Sequence, residues 1–497
     1  MSPSSAHPYM ANSAPALRQE LLDAIGVADA EELFEQIPED HRLTGGLTLP
    51  PALRSEAELE RHLRRTLAKN GDAERSLSFL GGGVWQHHVP AICDEIAGRT
   101  EFVTSEWGTP ASDHGRNQAW FEFASQLGEL VDLDFVGLPV YSWGCALGHA
   151  VRMTARMTGR SEVLVPANLD RERLAVLRTY CQPPEMRSAI LVVPVAVDPA
   201  TGGLDLDDLD LRLSERTAAV YFENPSSHGA IEARGAEISA RARAAGAETI
   251  VGVDPLSLGL LAPPPSYGAD VVVGSTQPLG IHMNCGGGTG GFIATRDDER
   301  YARQYPTLQV SIAPTLTPGE HGFAMALFEQ SSYGRREDGN DWTGNSVYLW
   351  AVVNAVYMSL MGPEGFRELG ELLIQRANHA ARRIGAIPGV SIAHPHVFKE
   401  LVVDVTDTGR TVAEVNAALL ERGIFGGAAL PDDLPAGEPD LGFAVTDEVR
   451  EDAPAPTSTP SGSPVAPARQ RALYCFTEVH AQEDVDRLVD ALTEVLA

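Results

Sequence analysis

Two hydrophobic spacings divide the chain. Up to about residue 75 the apolar positions recur at helical intervals. Leu59, Leu63 and Leu67 fall on one face, and Asp29 to Glu32 and Ser55 to Glu58 have the spacing of capping boxes. Residues 1–75 are therefore expected to form a helical arm, which needs something to pack against. From about 76 to 355 the pattern shifts to short β-rich runs (SEVLVP, SAILVVPV, AAVYFENP, ETIVGVDP, ADVVVGS, GGFIAT) separated by helical stretches. Strands that alternate with helices predict an α/β domain whose sheet is mostly parallel, with helices on both faces.

Over residues 356–497 a long helical stretch leads into a smaller alternating unit. It comprises KELVVDV, a helix opened by Thr411 and Glu414, RALYCF, and a last helix with Val485, Leu488, Val489, Leu492 and Leu496 on one face. A second, smaller C-terminal α/β domain is expected here. Within it, residues from Val449 to Gln470 are rich in Pro, Ser, Thr and Ala and carry too little apolar surface for a core. They predict a disordered insertion at about 449–470 without chemistry. No internal repeat is evident.

Composition narrows the function. A chain of 497 residues with 43% hydrophobic content can build a large core and more than one domain. A formal charge of −30 argues against nucleic acid as a partner, because phosphate binding depends on clustered Lys and Arg. The opening MSPSSAHPYM has neither the basic start nor the apolar stretch of a signal peptide, and no apolar run approaches the roughly 20 residues of a membrane span. Cys93, Cys145, Cys181, Cys285 and Cys475 lack CxxC spacing, so neither a metal site nor a disulfide framework is suggested. A cytoplasmic protein without metal fits these features. Lysine is scarce: only Lys69 and Lys399 occur among 38 basic residues.

Several strings carry a specific resemblance. FLGGGVWQHHVPA (Phe79 to Ala91) resembles the FLGxGxYxHxxPA signature of subunit 1 of glycine decarboxylase, the P-protein of the glycine cleavage system; EFVT and QAWFEF (Gln118 to Phe123) follow at the expected distance. FENPSSHG (Phe222 to Gly229) looks like the family's QNPxxxG. The long run from Val253 to Ile281 follows the family's DPxSLxLLxPPxxYGADIVVGxxQxLG closely. The likeness continues through Gly286 to Phe292, Arg335 to Glu337, Glu414 to Gly427 and CFTE (Cys475 to Glu478). It covers nearly the whole chain apart from the Pro-rich insertion.

The resemblance implies the fold-type-I architecture of pyridoxal-phosphate (PLP) transferases, and an enzyme that decarboxylates glycine and passes the aminomethyl group to the lipoyl arm of H-protein. In two-chain versions the lysine-bearing half is the other, β subunit. An αβ or α2β2 assembly follows, with this chain as the α subunit of an oxidoreductase acting in glycine catabolism. The residues agree, because such an enzyme needs a lysine amine near the sheet's carboxyl edge. After the ADVVVGS strand, where that lysine is usually placed, this chain reads Ser275-Thr276-Gln277, and Gln277 cannot form a Schiff base. Lys399 is expected at the start of a small-domain strand, away from that edge. PLP is accordingly expected on the partner subunit.

Candidate site residues follow from the matched strings. Asp254 ends a strand, where an acid can face a pyridinium nitrogen; the competing reading is a turn Asp ahead of Pro255. Asp254 and Gln277 mark the degenerate cofactor site. His87 suits proton transfer or carboxylate contact, while the adjacent His88 reads as structural. Arg335 and Arg336, with Glu337, suit a substrate carboxylate or a partner's acid, since a guanidinium fork binds carboxylates in bidentate fashion; a salt bridge is the alternative. The Gly286-to-Gly291 run lacks Walker A and GxGxxG order, and reads as a turn or a partner-facing loop rather than a phosphate cradle.

The sequence also departs from the family. Glu106 to Pro110, Pro139 to Ala146 and Asp338 to Trp342 replace the usual strings. These changes keep two further readings open: an enzyme redirected to another small amino acid, and a catalytically silent scaffold for a PLP-bearing partner. A free-standing nucleotide-binding dehydrogenase has no GxGxxG to support it.

Overall fold

The computed structural model describes residues 6–7, 9–43, 47–73, 75–103, 110–182, 188–307, 309–326, 331–340, 343, 346–431, 433–434 and 469–497. The predicted disordered insertion lies outside these residues except for Arg469 and Gln470. The chain forms two compact units, Met1–Gly71 and Asp72–Ala497.

The first unit holds α1 (Pro15–Ile25) and α2 (Glu56–Leu67). Pro15 at the first turn suits α1, since its missing N–H would be unpaired there anyway; Gly26 ends the helix with φ at 88°. Ser55 Oγ accepts from the Glu58 N–H at 3.2 Å and caps α2.

The second unit is built on a seven-stranded sheet: β1 (Phe135–Val136), β2 (Glu162–Pro166), β3 (Leu191–Val195), β4 (Thr217–Glu223), β5 (Glu248–Val253), β6 (Val271–Ser275) and β7 (Gly291–Thr295). Six of these are the strands read from the sequence. Their spatial order is 3-2-4-5-6-7-1. Strands β2 to β6 run parallel, while β7 is antiparallel to β6 and β1 is antiparallel to β7. Consecutive strand residues serve opposite cores: Leu164, Val220, Val251 and Val272 pack on one face, and Val163, Ala219, Ile250 and Val271 on the other. A sheet buried on both faces explains why its strands read as continuous apolar runs.

Helices α3 (Trp143–Thr158) and α4 (Arg171–Cys181) flank this sheet, and α5 (Tyr348–Ile384) follows it. Helix α5 kinks at Gly362 and Pro363, where the backbone leaves helical geometry. The smaller sheet is antiparallel, in the order β8 (Ser391–Ile392), β9 (Glu400–Asp404), β11 (Arg471–Cys475), β10 (Ala428–Ala429). Helix α6 (Val412–Leu420), with its Thr411–Glu414 capping box, and helix α7 (Gln482–Leu496) cover it. Phe79, from the first matched string, joins this small-sheet core beside Leu401, Tyr474 and Leu488.

Candidate functional site

In open α/β sheets, ligands bind in the crevice beyond the carboxyl ends of the strands. Here Glu223 ends β4, Asp254 follows β5, and Ser275 to Gln277 close β6. Helix α3 starts at the same edge, with Ser142 Oγ accepting from the Cys145 N–H at 3.2 Å.

Asp254 serves two roles at once. Its Oδ1 accepts from the Leu256 N–H at 3.1 Å, which caps the short helical turn Pro255–Gly259. Its Oδ2 lies 2.7 Å from Lys399 Nζ, with 5% and 2% of the two side chains exposed. The expectation that Lys399 stands away from the carboxyl edge is therefore corrected. Lys399 does immediately precede β9, but the loop after β4 holds that segment against the large sheet. The Phe398 N–H donates to Gly229 O at 3.2 Å, and Ala230 bridges Val397. The approach is so close that a Cβ on Gly229, whose φ is 80°, would lie 1.9 Å from Glu400 O. Only glycine fits there.

The remaining valences of the ammonium are also engaged. Lys399 Nζ donates to His87 Nε2 at 3.0 Å and sits 3.4 Å from the centre of a Trp85 ring. Because an ammonium only donates, His87 Nε2 must accept, which assigns the imidazole proton to Nδ1. Nδ1 in turn faces Glu478 Oε2 at 2.7 Å, and Glu478 Oε1 accepts from the His88 N–H at 2.6 Å. Burial raises the pKa of Glu478, but the hydrogen bonds it accepts from His87 Nδ1 and from the His88 backbone N–H outweigh it and hold the carboxyl at about 2. The His88 ring is exposed.

A second buried ion pair lies alongside. Arg173 Nε is 2.9 Å from Glu223 Oε1, its outer nitrogen is 3.2 Å from Oε2, and its guanidinium lies 4.3 Å from the Trp143 ring. Tyr221 Oη donates to Glu223 at 2.7 Å. Burial opposes the Arg173 charge, but the Glu223 carboxylate outweighs it and keeps the guanidinium pKa above its ordinary value. Burial lifts the pKa of Glu400, against the pull of Lys399 and of the Gly82 N–H, which donates to Glu400 at 2.7 Å.

Gln277 is buried and grips the backbone. Its Oε1 accepts from the Trp85 N–H at 3.1 Å, and its Nε2 donates to Trp85 O and Ile281 O, each at 3.0 Å. Trp85, Trp143, Arg173, Asp254, Lys399 and Glu400 thus leave only about 10 Å³ of free space between them, room for one water at most. A pyridoxal ring does not fit among these side chains. A roomier cavity, about 560 Å³, lies next to it, between Asn168 and Asp170 on one side and Leu430 and Pro431 on the other. Its His228 is pushed down to about 4, chiefly by burial.

The other sequence candidates are not drawn into this cluster. Arg335, Arg336 and Glu337 are exposed on the short helical turns Ser332–Arg335 and Arg336–Asp338, and no hydrogen bond or ion pair ties them to His87. The Gly-rich run leads into β7: the N–H groups of Gly290 and Gly291 donate to Tyr141 O and Val140 O, and a Cβ on Gly291 would meet Ser142 O at 2.1 Å. Sequence reasoning missed Arg173, Glu223, Trp143 and Glu400, and set Lys399 aside. A charged residue placed within or ending an apolar strand, as in VYFENP and FKELVVDV, is the signal that marked three of them.

A mostly parallel sheet in the order 3-2-4-5-6-7-1, followed by a small antiparallel sheet, defines the fold-type-I class of PLP-dependent transferases. Residues 9–430 match the glycine cleavage system P-protein family. The chain is 32% identical over 501 residues to a probable glycine dehydrogenase (decarboxylating) subunit 1 of Staphylothermus marinus, covering 99% of this chain and 98% of that one. It is 33% identical over 502 residues to the protein of the same name from Aeropyrum pernix, covering 99% of both. It superposes with a TM-score of 0.80 and 30% identity on a glycine decarboxylase (P-protein) of the glycine cleavage system in inhibitor-bound form, covering 99% of this chain and 100% of that one. The chain belongs to the glycine cleavage system P-protein family.

Proposed function

We propose that this chain is the α subunit of a heteromeric glycine decarboxylase, active only with a lysine-bearing β subunit that carries PLP. Together the two chains decarboxylate glycine and hand the aminomethyl group to the lipoyl arm of H-protein, in the cytoplasm, as an αβ or α2β2 assembly. One observation carries the division of labour: the carboxyl edge where this fold class keeps its cofactor is filled by side chains, and Gln277, which cannot form a Schiff base, stands after β6. PLP supplies electron-sink chemistry where it is bound, and this chain's residues do not fit it.

The share of this chain in the reaction then lies at its surface. Arg335, Arg336 and Glu337 are exposed and can reach a partner; the two guanidinium groups suit a substrate carboxylate or a partner acid. His87, buried with both ring nitrogens engaged, holds Lys399 in place rather than touching substrate. The obligate partner is supported by the apolar stripes of α1 and α2, which present Leu17, Leu21 and Ile25, and Leu59, Leu63 and Leu67, to solvent.

The test is an absorbance spectrum in the aldimine region for the full-length chain alone and for the chain co-purified with its partner, followed by glycine-dependent CO2 exchange with lipoylated H-protein. A colourless lone chain and a yellow, exchanging complex are expected. A borohydride-stable adduct on the lone chain overturns the proposal, and a yellow complex that ignores glycine redirects it to another amino acid.

A further inference from the structure

We infer that the former cofactor position of this chain is a buried receptor for a primary ammonium, and that Lys399 is its built-in occupant. The inference deepens the functional reading by naming what fills this chain's own site, yet it stands or falls on this chain alone. In an active enzyme of this fold class, an acid at this strand end faces a cationic ring nitrogen. Here Asp254 has the same position and the same charge requirement, and a primary ammonium meets it at 2.7 Å.

The ammonium is enclosed on several sides, as a bound ligand would be. A primary ammonium has three N–H donors and no acceptor. Among the described residues, the Nε2 of His87 accepts from it at 3.0 Å, the Asp254 carboxylate pairs with it as an ion at 2.7 Å, and the Trp85 face lies 3.4 Å away. Each partner is itself fixed: Asp254 by the Leu256 N–H, His87 by Glu478, and the Trp85 backbone by Gln277. The receptor is thus assembled from segments far apart in sequence, and its occupant comes from the segment that immediately precedes the small-sheet strand β9. Guanidinium is disfavoured in that position, because a planar fork of five donors has no match in a cavity with about 10 Å³ to spare.

The receptor is tested by emptying it. Full-length Lys399→Ala lacks three methylenes and the ammonium, which is the shape of propylammonium. Its Tm is expected to fall by several degrees. Propylammonium chloride should then raise that Tm saturably, whereas sodium chloride at equal ionic strength and 1-propanol should not. Equal rescue by 1-propanol, or no rescue by propylammonium, overturns the inference.

If Lys399→Ala does not fold, Lys399→Met fills the volume without the charge and leaves Asp254 buried and unpaired. Adding Asp254→Asn should then recover stability; a Lys399→Met chain as stable as the wild type overturns the inference. Rescue by propylammonium with no glycine exchange by the complex keeps this inference and removes the functional one. PLP bound by the wild-type chain alone removes both.

Discussion

The carboxyl edge of the large sheet and the N-terminal arm break the usual rule of burial in opposite directions. At the sheet edge, Asp254, Lys399, Arg173, Glu223 and Glu400 are charged side chains removed from water. In the arm, Leu17, Leu21 and Ile25 on α1 and Leu59, Leu63 and Leu67 on α2 remain 44–60% exposed. The first region is finished within the chain, since its ions have partners at hydrogen-bonding distance. The second has apolar stripes that the described residues of its own unit leave exposed. The contrast separates what this chain does alone from what it needs another chain to do.

The first way to break the comparison is to unbalance the sheet edge. Arg173→Met leaves Glu223 buried without its guanidinium, and removing one partner of a buried pair costs about 3–5 kcal/mol. Urea unfolding of the isolated chain should show this loss, and adding Glu223→Gln should recover part of it. A loss below about 1 kcal/mol would mean that water reaches Glu223 and the site is not closed.

The next effect is on pH dependence. Glu478 is held at about 2 against an ordinary 4.5, so its folded pKa lies below its unfolded one. Its contribution is fully present above about pH 4.5 and is lost as pH falls towards 2, about 3 kcal/mol in all. Glu478→Gln should lower stability at pH 6 and flatten the acid limb of the stability curve between those values. An unchanged acid limb would detach Glu478 from His87.

The two regions also differ in how legible they were. Strands β2 to β7 were readable because both faces are buried, so each appears as an unbroken apolar run bounded by turn residues. The arm was readable from Leu59, Leu63 and Leu67 at helical intervals. The charge cluster was not, because its contacts are long-range: Lys399 and His87 lie 312 residues apart, and Glu478 and His87 lie 391 apart. Spacing along the chain carries no information about a meeting between β9 and the end of β5. What the sequence did hold was scarcity: one of only two lysines sits in FKELVVDV, where the strand's periodicity already implied burial. A buried lysine needs an acid, and the acids ending apolar strands were Glu223 and Asp254.

Gln277 sharpens the comparison at a smaller scale. It stands where a catalytic lysine would be expected, yet its amide grips the backbone of Trp85 and Ile281. Gln277→Leu would leave those buried backbone groups unpaired, at about 1–3 kcal/mol. Chemical denaturation measures this directly. No measurable loss would return Gln277 to the status of a vestige with no structural work.

The arm should give the smallest effect on the isolated chain, and that smallness is its signature. Leu59→Gln, Leu63→Gln and Leu67→Gln remove apolar surface that the folded unit leaves in water, so each should change the stability of the lone chain by no more than about 0.5 kcal/mol. If the partner subunit covers the stripe, each leucine contributes up to about 1.5–3 kcal/mol to association, which is tenfold or more in affinity. The triple variant should therefore melt like the wild type yet fail to retain the partner in sedimentation. A triple variant that melts early would place these leucines in the chain's own core. One that melts normally and still retains the partner would leave the stripe without the role that its spacing implies.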